Sequence, residues 1–179
     1  MVDIVQQGDS VLRETAAEVP VDAILSPEIQ KVIADMHEAL STQDDGVAIA
    51  APQIGVSKRI FIVSRRVFLM DRDGNWVRPK EELDNYDDVV FINPVILNRS
   101  KKQEWMPEGC LSVRWKYGRV ARATKATVRA YNEKGEEFTR NGSGLWAQIF
   151  QHEIDHLNGL LFIDKAKHVE QVEPPESED

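Results

Sequence analysis

The sequence predicts a single domain that mixes helices with short strands, and three observations carry that expectation. After Ser26-Pro27, the apolar residues Ile29, Val32, Ile33, Met36 and Leu40 recur at helical spacing. Residues 126–131 alternate, turn through Asn132-Glu133-Lys134-Gly135 and return over 136–140, the pattern of a hairpin. A second helical pattern starts near Ser143 and runs to a stop signal at Gly159.

Taken in chain order, the first segment turns through Gly8-Asp9-Ser10 to Pro20 and leads into the helix capped by Ser26. His37 lies beside that helix's apolar stripe and reads as a surface or satisfied histidine. The small, apolar run from Asp44 to Gly55 suits an extended strand or loop that another backbone can approach closely. Residues 59–63 and 89–92 read as short buried strands. The polar stretch between them, with a turn at Asp73-Gly74, reads as a surface excursion with hairpin character. One domain is expected over residues 1–169. Residues 170–179, acidic and carrying Pro174-Pro175, are expected to be a disordered tail.

Composition narrows the function. Net charge is -8, which argues against nucleic acid or an acidic membrane as a partner attracted by bulk charge. Cys110 is the only cysteine, so no internal disulfide can form, and a lone thiol suits a reducing compartment. The N-terminus shows no signal-peptide pattern, and no apolar run is long enough to span a bilayer. The expected location is cytoplasmic.

Gln151-His152-Glu153-Ile154-Asp155-His156 is the informative segment. Residues four apart share one helical face, so His152 and His156 can hold one metal ion, while Glu153 sits within reach of that metal's water ligand. Such an HExxH pattern arises by chance in roughly one chain in a hundred of this length. A catalytic metal usually takes three protein ligands and keeps one position open. An astacin-like third histidine would stand where Phe162 is. A thermolysin-like downstream glutamate would have to be Glu170, Glu173 or Glu176, in or near a proline-containing tail unsuited to a helix. Cys110, in Pro107-Glu108-Gly109-Cys110-Leu111-Ser112, becomes the favoured third ligand, with a small buried hydrophobe as its plain alternative.

Three segments together resemble the peptide deformylases: residues 46–53 (Gly-Val-Ala-Ile-Ala-Ala-Pro-Gln), 108–112 (Glu-Gly-Cys-Leu-Ser) and 151–157 (Gln-His-Glu-Ile-Asp-His-Leu). Weaker similarity extends over most of the chain. The resemblance implies an α+β fold with antiparallel sheets packed around the helix that carries both histidines. It implies Cys110, His152 and His156 as ligands of Fe2+, with Zn2+, Ni2+ or Co2+ substituting. It also implies removal of formyl from N-terminal formyl-methionine, with the substrate laid as an added strand along Gly46, Val47 and Ala48. Formyl-methionyl peptides and nascent chains are the expected partners, and the ribosome is a further candidate.

Roles follow residue by residue. Glu153 takes a proton from the attacking water and delivers it to the leaving amine. The Gln53 amide and the Leu111 N–H are the candidate oxyanion donors, with a turn cap as the alternative for Gln53. Val47, Met106, Leu145 and Ile149 could line a methionine pocket, although core packing explains them equally well. Glu108 and Gly109 join the substrate-binding set. Ala48 and Ile49, Arg114-Trp115 and Gln148 depart from the family's usual pattern and bear on substrate preference. The competing functions are a zincin-like metallopeptidase and a non-catalytic binder of formylated N-termini.

Overall fold

The structure, a computed structural model, describes residues 1–175. Two helices and eight strands build it. Helix α1 (Pro27–Ser41) begins as expected: Ser26 Oγ accepts from the Ile29 N–H, and Pro27 occupies the first turn. Its apolar stripe buries Ile29, Ile33, Met36 and Leu40 against Ile49, Ile60, Ile62 and Val90.

Strands β1 (Ala48–Ala50), β2 (Ile60–Val63), β3 (Val89–Arg99), β6 (Lys125–Tyr131) and β7 (Glu137–Ser143) form one antiparallel sheet in the order β1-β2-β3-β6-β7. Strands β4 (Gln103–Glu108), β5 (Lys116–Ala123) and β8 (Lys167–Gln171) form a second, in the order β4-β5-β8. Helix α2 (Leu145–Leu157) packs its apolar face, including Ala147, Ile149, Phe150, Ile154 and Leu157, into the core of the larger sheet with Phe61, Phe91 and Val128. The α+β class with antiparallel sheets around this helix therefore holds.

Several boundaries differ from the sequence reading, each for a physical reason. The second helix starts at Leu145 because β7 runs through Ser143 and Gly144 makes the corner at φ 56°. Strand β3 continues past Ile92 because Asn93, at φ 51°, bends it there; its side chain exchanges hydrogen bonds of 2.8 and 2.7 Å with the Val19 backbone. The run after β1 turns into a 3-10 helix over Ala51–Ile54. The excursion between β2 and β3 holds two 3-10 helices, and its hairpin character reduces to one bridge, Met70 with Trp76. Glu170 and Gln171, placed by the sequence in the tail, close β8, and residues 176–179 lie outside the described residues.

The arrangement leaves β1 at one edge of the larger sheet and β4 at one edge of the smaller. Both edges line the same cleft, as do Cys110, Leu145, Ile149, His152 and Glu153.

Candidate metal centre and active site

Helix α2 brings His152 and His156 onto one face one turn apart, with ring centroids 4.9 Å from each other. Cys110 reaches them from the turn after β4. One ligand atom each from Cys110, His152 and His156 falls within a 4.8 Å cluster, and Cys110 Sγ stands 3.3 Å from His156 Nε2. Tetrahedral ligation with ordinary metal–sulfur and metal–nitrogen bonds places such atoms about 3.6 Å apart, so the three residues fit a divalent cation.

Glu153 is 4% exposed, and its Oε2 has no hydrogen-bond partner within the described residues. Burial lifts its carboxyl from 4.5 to about 7, against the pull of His152. A buried, unpartnered carboxylate is costly unless something outside the chain completes it, which suits a group waiting for water beside a cation. His156 Nδ1 is likewise buried without a partner. Burial holds the His156 imidazole well below its ordinary value, with His152 adding to the effect, whereas Cys110 and Glu108 hold His152 well above it against its burial, so binding a cation would release a proton from His152.

Glu108 lines the cleft and is also tied to His152 and Arg122. Its carboxylate is held within the chain: Oε1 lies 2.7 Å from His152 Nδ1, and Arg122 donates to both oxygens at 2.7 and 2.8 Å. Burial alone would raise the Glu108 carboxyl; the Arg122 and His152 contacts outweigh it and bring it down to about 2. Glu108 thus orients the His152 ring and is a positioning residue, although it still borders the cleft. Arg122, 3% exposed, also donates at 2.7 Å to Asp155, which Lys165 contacts from outside. The sequence reading missed Arg122, since no local spacing ties it to Glu108 or Asp155.

Gln53 makes the local cap given as its alternative: its Oε1 accepts from the Ala50 N–H at 2.8 Å. That bond aims Nε2 at the site, 3.2 Å from Ser112 Oγ and 3.6 Å from Cys110 Sγ. The Leu111 N–H donates to no group among the described residues. Gly109 is needed for packing: a Cβ there would stand 2.7 Å from the Tyr117 ring.

Val47, Met106, Leu145 and Ile149 all line the cleft, which is roughly 490 Å³ and so within the range of small-molecule sites. Ile149 and Met106 are at the same time 4% and 8% exposed, so the pocket wall and the core share these side chains. Gln148 ties α2 to the smaller sheet by donating to the Pro107 carbonyl at 2.8 Å. Gly46 spends both backbone groups inside the chain, on Gln43 and Arg66. Val47 O accepts from Ser64 N, so alternation turns the N–H and C=O of Ala48 toward the open edge.

Residues 1–172 match the family model described as polypeptide deformylase. The chain belongs to that family. A peptide deformylase from Halothermothrix orenii is 42% identical over 159 residues, 89% of each protein. The chloroplastic/mitochondrial peptide deformylase 1A of Arabidopsis thaliana is 40% identical over 91% of this chain, which spans 60% of that longer protein. A Met-Ala-Ser-bound class I type b peptide deformylase from Acinetobacter baumannii superposes with a TM-score of 0.77 at 33% identity, covering 92% of this chain and 98% of that one. Deformylase membership fixes the class of chemistry: a metal-dependent hydrolase that deformylates new polypeptides. Among the described residues, Glu170 and Glu173 lie exposed and outside the Cys110, His152 and His156 cluster, and Glu176 lies outside the described residues.

Proposed function

We propose that Cys110, His152 and His156 hold one Fe2+, which Zn2+, Ni2+ or Co2+ can replace, and that Glu153 is the acid–base residue for hydrolysis of formyl-methionyl N-termini. The observation that carries this reading is the convergence of three ligand atoms within 4.8 Å beside a buried carboxylate oxygen that has no partner. A divalent cation there supplies Lewis acidity toward the formyl oxygen and acidifies water. Thiolate and imidazole donors suit iron, zinc, nickel and cobalt alike.

The chain's own residues do the rest. Glu153 removes a proton from the attacking water and passes it to the departing amine. The Gln53 Nε2 and the Leu111 N–H donate to the oxyanion. The unpaired edge of β1, chiefly through Ala48, accepts an extended peptide as an added strand, with β4 on its other side. Val47, Met106, Leu145 and Ile149 enclose the methionine side chain. Nascent chains, met at the ribosome, are the natural source of such substrates. The setting is cytoplasmic, where the lone thiol of Cys110 stays reduced; no described helix is long and apolar enough to cross a membrane.

The test is formate release from formyl-Met-Ala-Ser by protein purified without oxygen, with elemental analysis of the same sample. Glu153→Gln should keep the metal and lose at least about a hundredfold in kcat. Cys110→Ala should lose the metal. Full activity in Glu153→Gln, or full metal occupancy in Cys110→Ala, refutes the assignment.

A further inference from the structure

The cleft's open end carries charge that the catalytic reading leaves unused. Four cationic side chains line the cleft: Arg72, Arg114, Lys116 and Arg119. Arg72 is paired with Glu104 at 2.8 Å, and Arg114 with Asp45 at 2.8 Å. Lys116 and Arg119 form no ion pair among the described residues; Lys116 donates to Gln7 Oε1 and Arg119 to the Trp105 carbonyl. Lys167, also without an ion pair, stands 4.9 Å from the Trp105 ring centroid. Glu170, the acid paired in register with Tyr117, is likewise without an ion pair. The cleft's outer acids, Asp45, Asp73 and Glu104, are all ion-paired, with Arg114, Arg72 and Lys102, which leaves Lys116 and Arg119 as its uncompensated charges among the described residues.

The position matches a substrate's onward path. Arg119 stands opposite Pro107 on β4, three residues before Cys110 and so at most about 10 Å of chain from it. An extended peptide whose formyl group lies at Cys110 covers that distance by its third residue. Trp105, Trp115 and Tyr117 also line this end and offer flat surfaces for the peptide's backbone and side-chain stems. Trp105 and Tyr117 are 46% and 41% exposed, so their rings are available to a ligand. Each of these residues follows from the sequence of β4, β5 and the turn between them, including the Arg114-Trp115 departure.

We infer that Lys116 and Arg119 select substrates with acidic side chains after the methionine, the third residue foremost. The inference rests on the deformylase reading of the cleft. Exposed charges give modest selectivity, and screening by salt weakens it.

Three C-terminally amidated peptides test it: formyl-Met-Ala-Glu, formyl-Met-Ala-Gln and formyl-Met-Ala-Lys. The expected kcat/KM order is Glu above Gln above Lys, with about tenfold between the extremes at low salt. The spread should shrink at high salt. Lys116→Gln combined with Arg119→Gln should level the three peptides, and Arg119→Glu should favour the lysine peptide. Equal kcat/KM for all three, or an unchanged spread in the double variant, overturns the inference. If no peptide releases formate, the hydrolytic reading fails instead. Selectivity is then read from binding of the unformylated amides Met-Ala-Glu and Met-Ala-Lys, and equal affinities overturn it.

Discussion

Glu153 shows how one residue can serve function at a cost to stability. Its carboxyl, lifted by burial from 4.5 to about 7, binds a proton in the folded state that the unfolded chain has already released. Its own contribution to the stability of the metal-free protein therefore falls as pH rises from about 4.5 to 7, by about 3 kcal/mol, and stays lowered above that. Glu153→Gln should stabilise the metal-free protein at pH 8 and do little near pH 4.5; thermal melts at both values read the difference. An equal shift at both pH values would show that the carboxylate is not penalised. The histidines and this glutamate were legible because helical spacing alone puts them together. The role of Glu108 was not, since it depends on Arg122, which reaches it from the neighbouring strand at a separation no local pattern records.

At the scale of elements, Arg122 joins three of them. From β5 it holds Glu108 at the end of β4 and Asp155 on α2, and through Glu108 it sets the His152 ring. Removing one partner of such a buried set leaves an uncompensated charge. Arg122→Met should cost about 3–5 kcal/mol by denaturant unfolding and weaken metal retention by about ten- to a hundredfold. Arg122→Lys restores the charge without the fork and should recover part of each loss. Unaltered metal affinity in Arg122→Met would remove the link to His152. Helix α1 was read from its cap and stripe, and α2 to within about two residues at each end, because capping and periodicity are local. The smaller sheet was not read: Trp105, Pro107, Arg119 and Lys167 put large or charged residues on its outer face, and Arg122 and Glu108 put charge on its inner one, which erases the alternation that marks a strand.

For the molecule as a whole, acid should be the sensitive direction. Glu108 titrates near 2 when folded, against 4.5 otherwise. Its ion-paired state contributes stability in full above pH 4.5, and that contribution drains away as pH falls toward 2. Asp88 and Asp164 are held low as well, Asp88 by His37 and Arg65 against its burial and Asp164 chiefly by Arg13. Urea midpoints should therefore drop between pH 5 and pH 3, and Glu108→Gln should flatten that drop. A wild-type midpoint independent of pH over this range would contradict the burial and pairing described for Glu108.

The two sheet edges that border the cleft have one more consequence. An open edge normally invites unlimited stacking of strands, the hazard behind fibrous aggregates. Here β1 and β4 border a single cleft, so a guest strand laid along both, as proposed for the substrate, would leave no template there for a second. Backbone donors and acceptors can then stay on offer in that cleft, because docking there would be self-limiting at one.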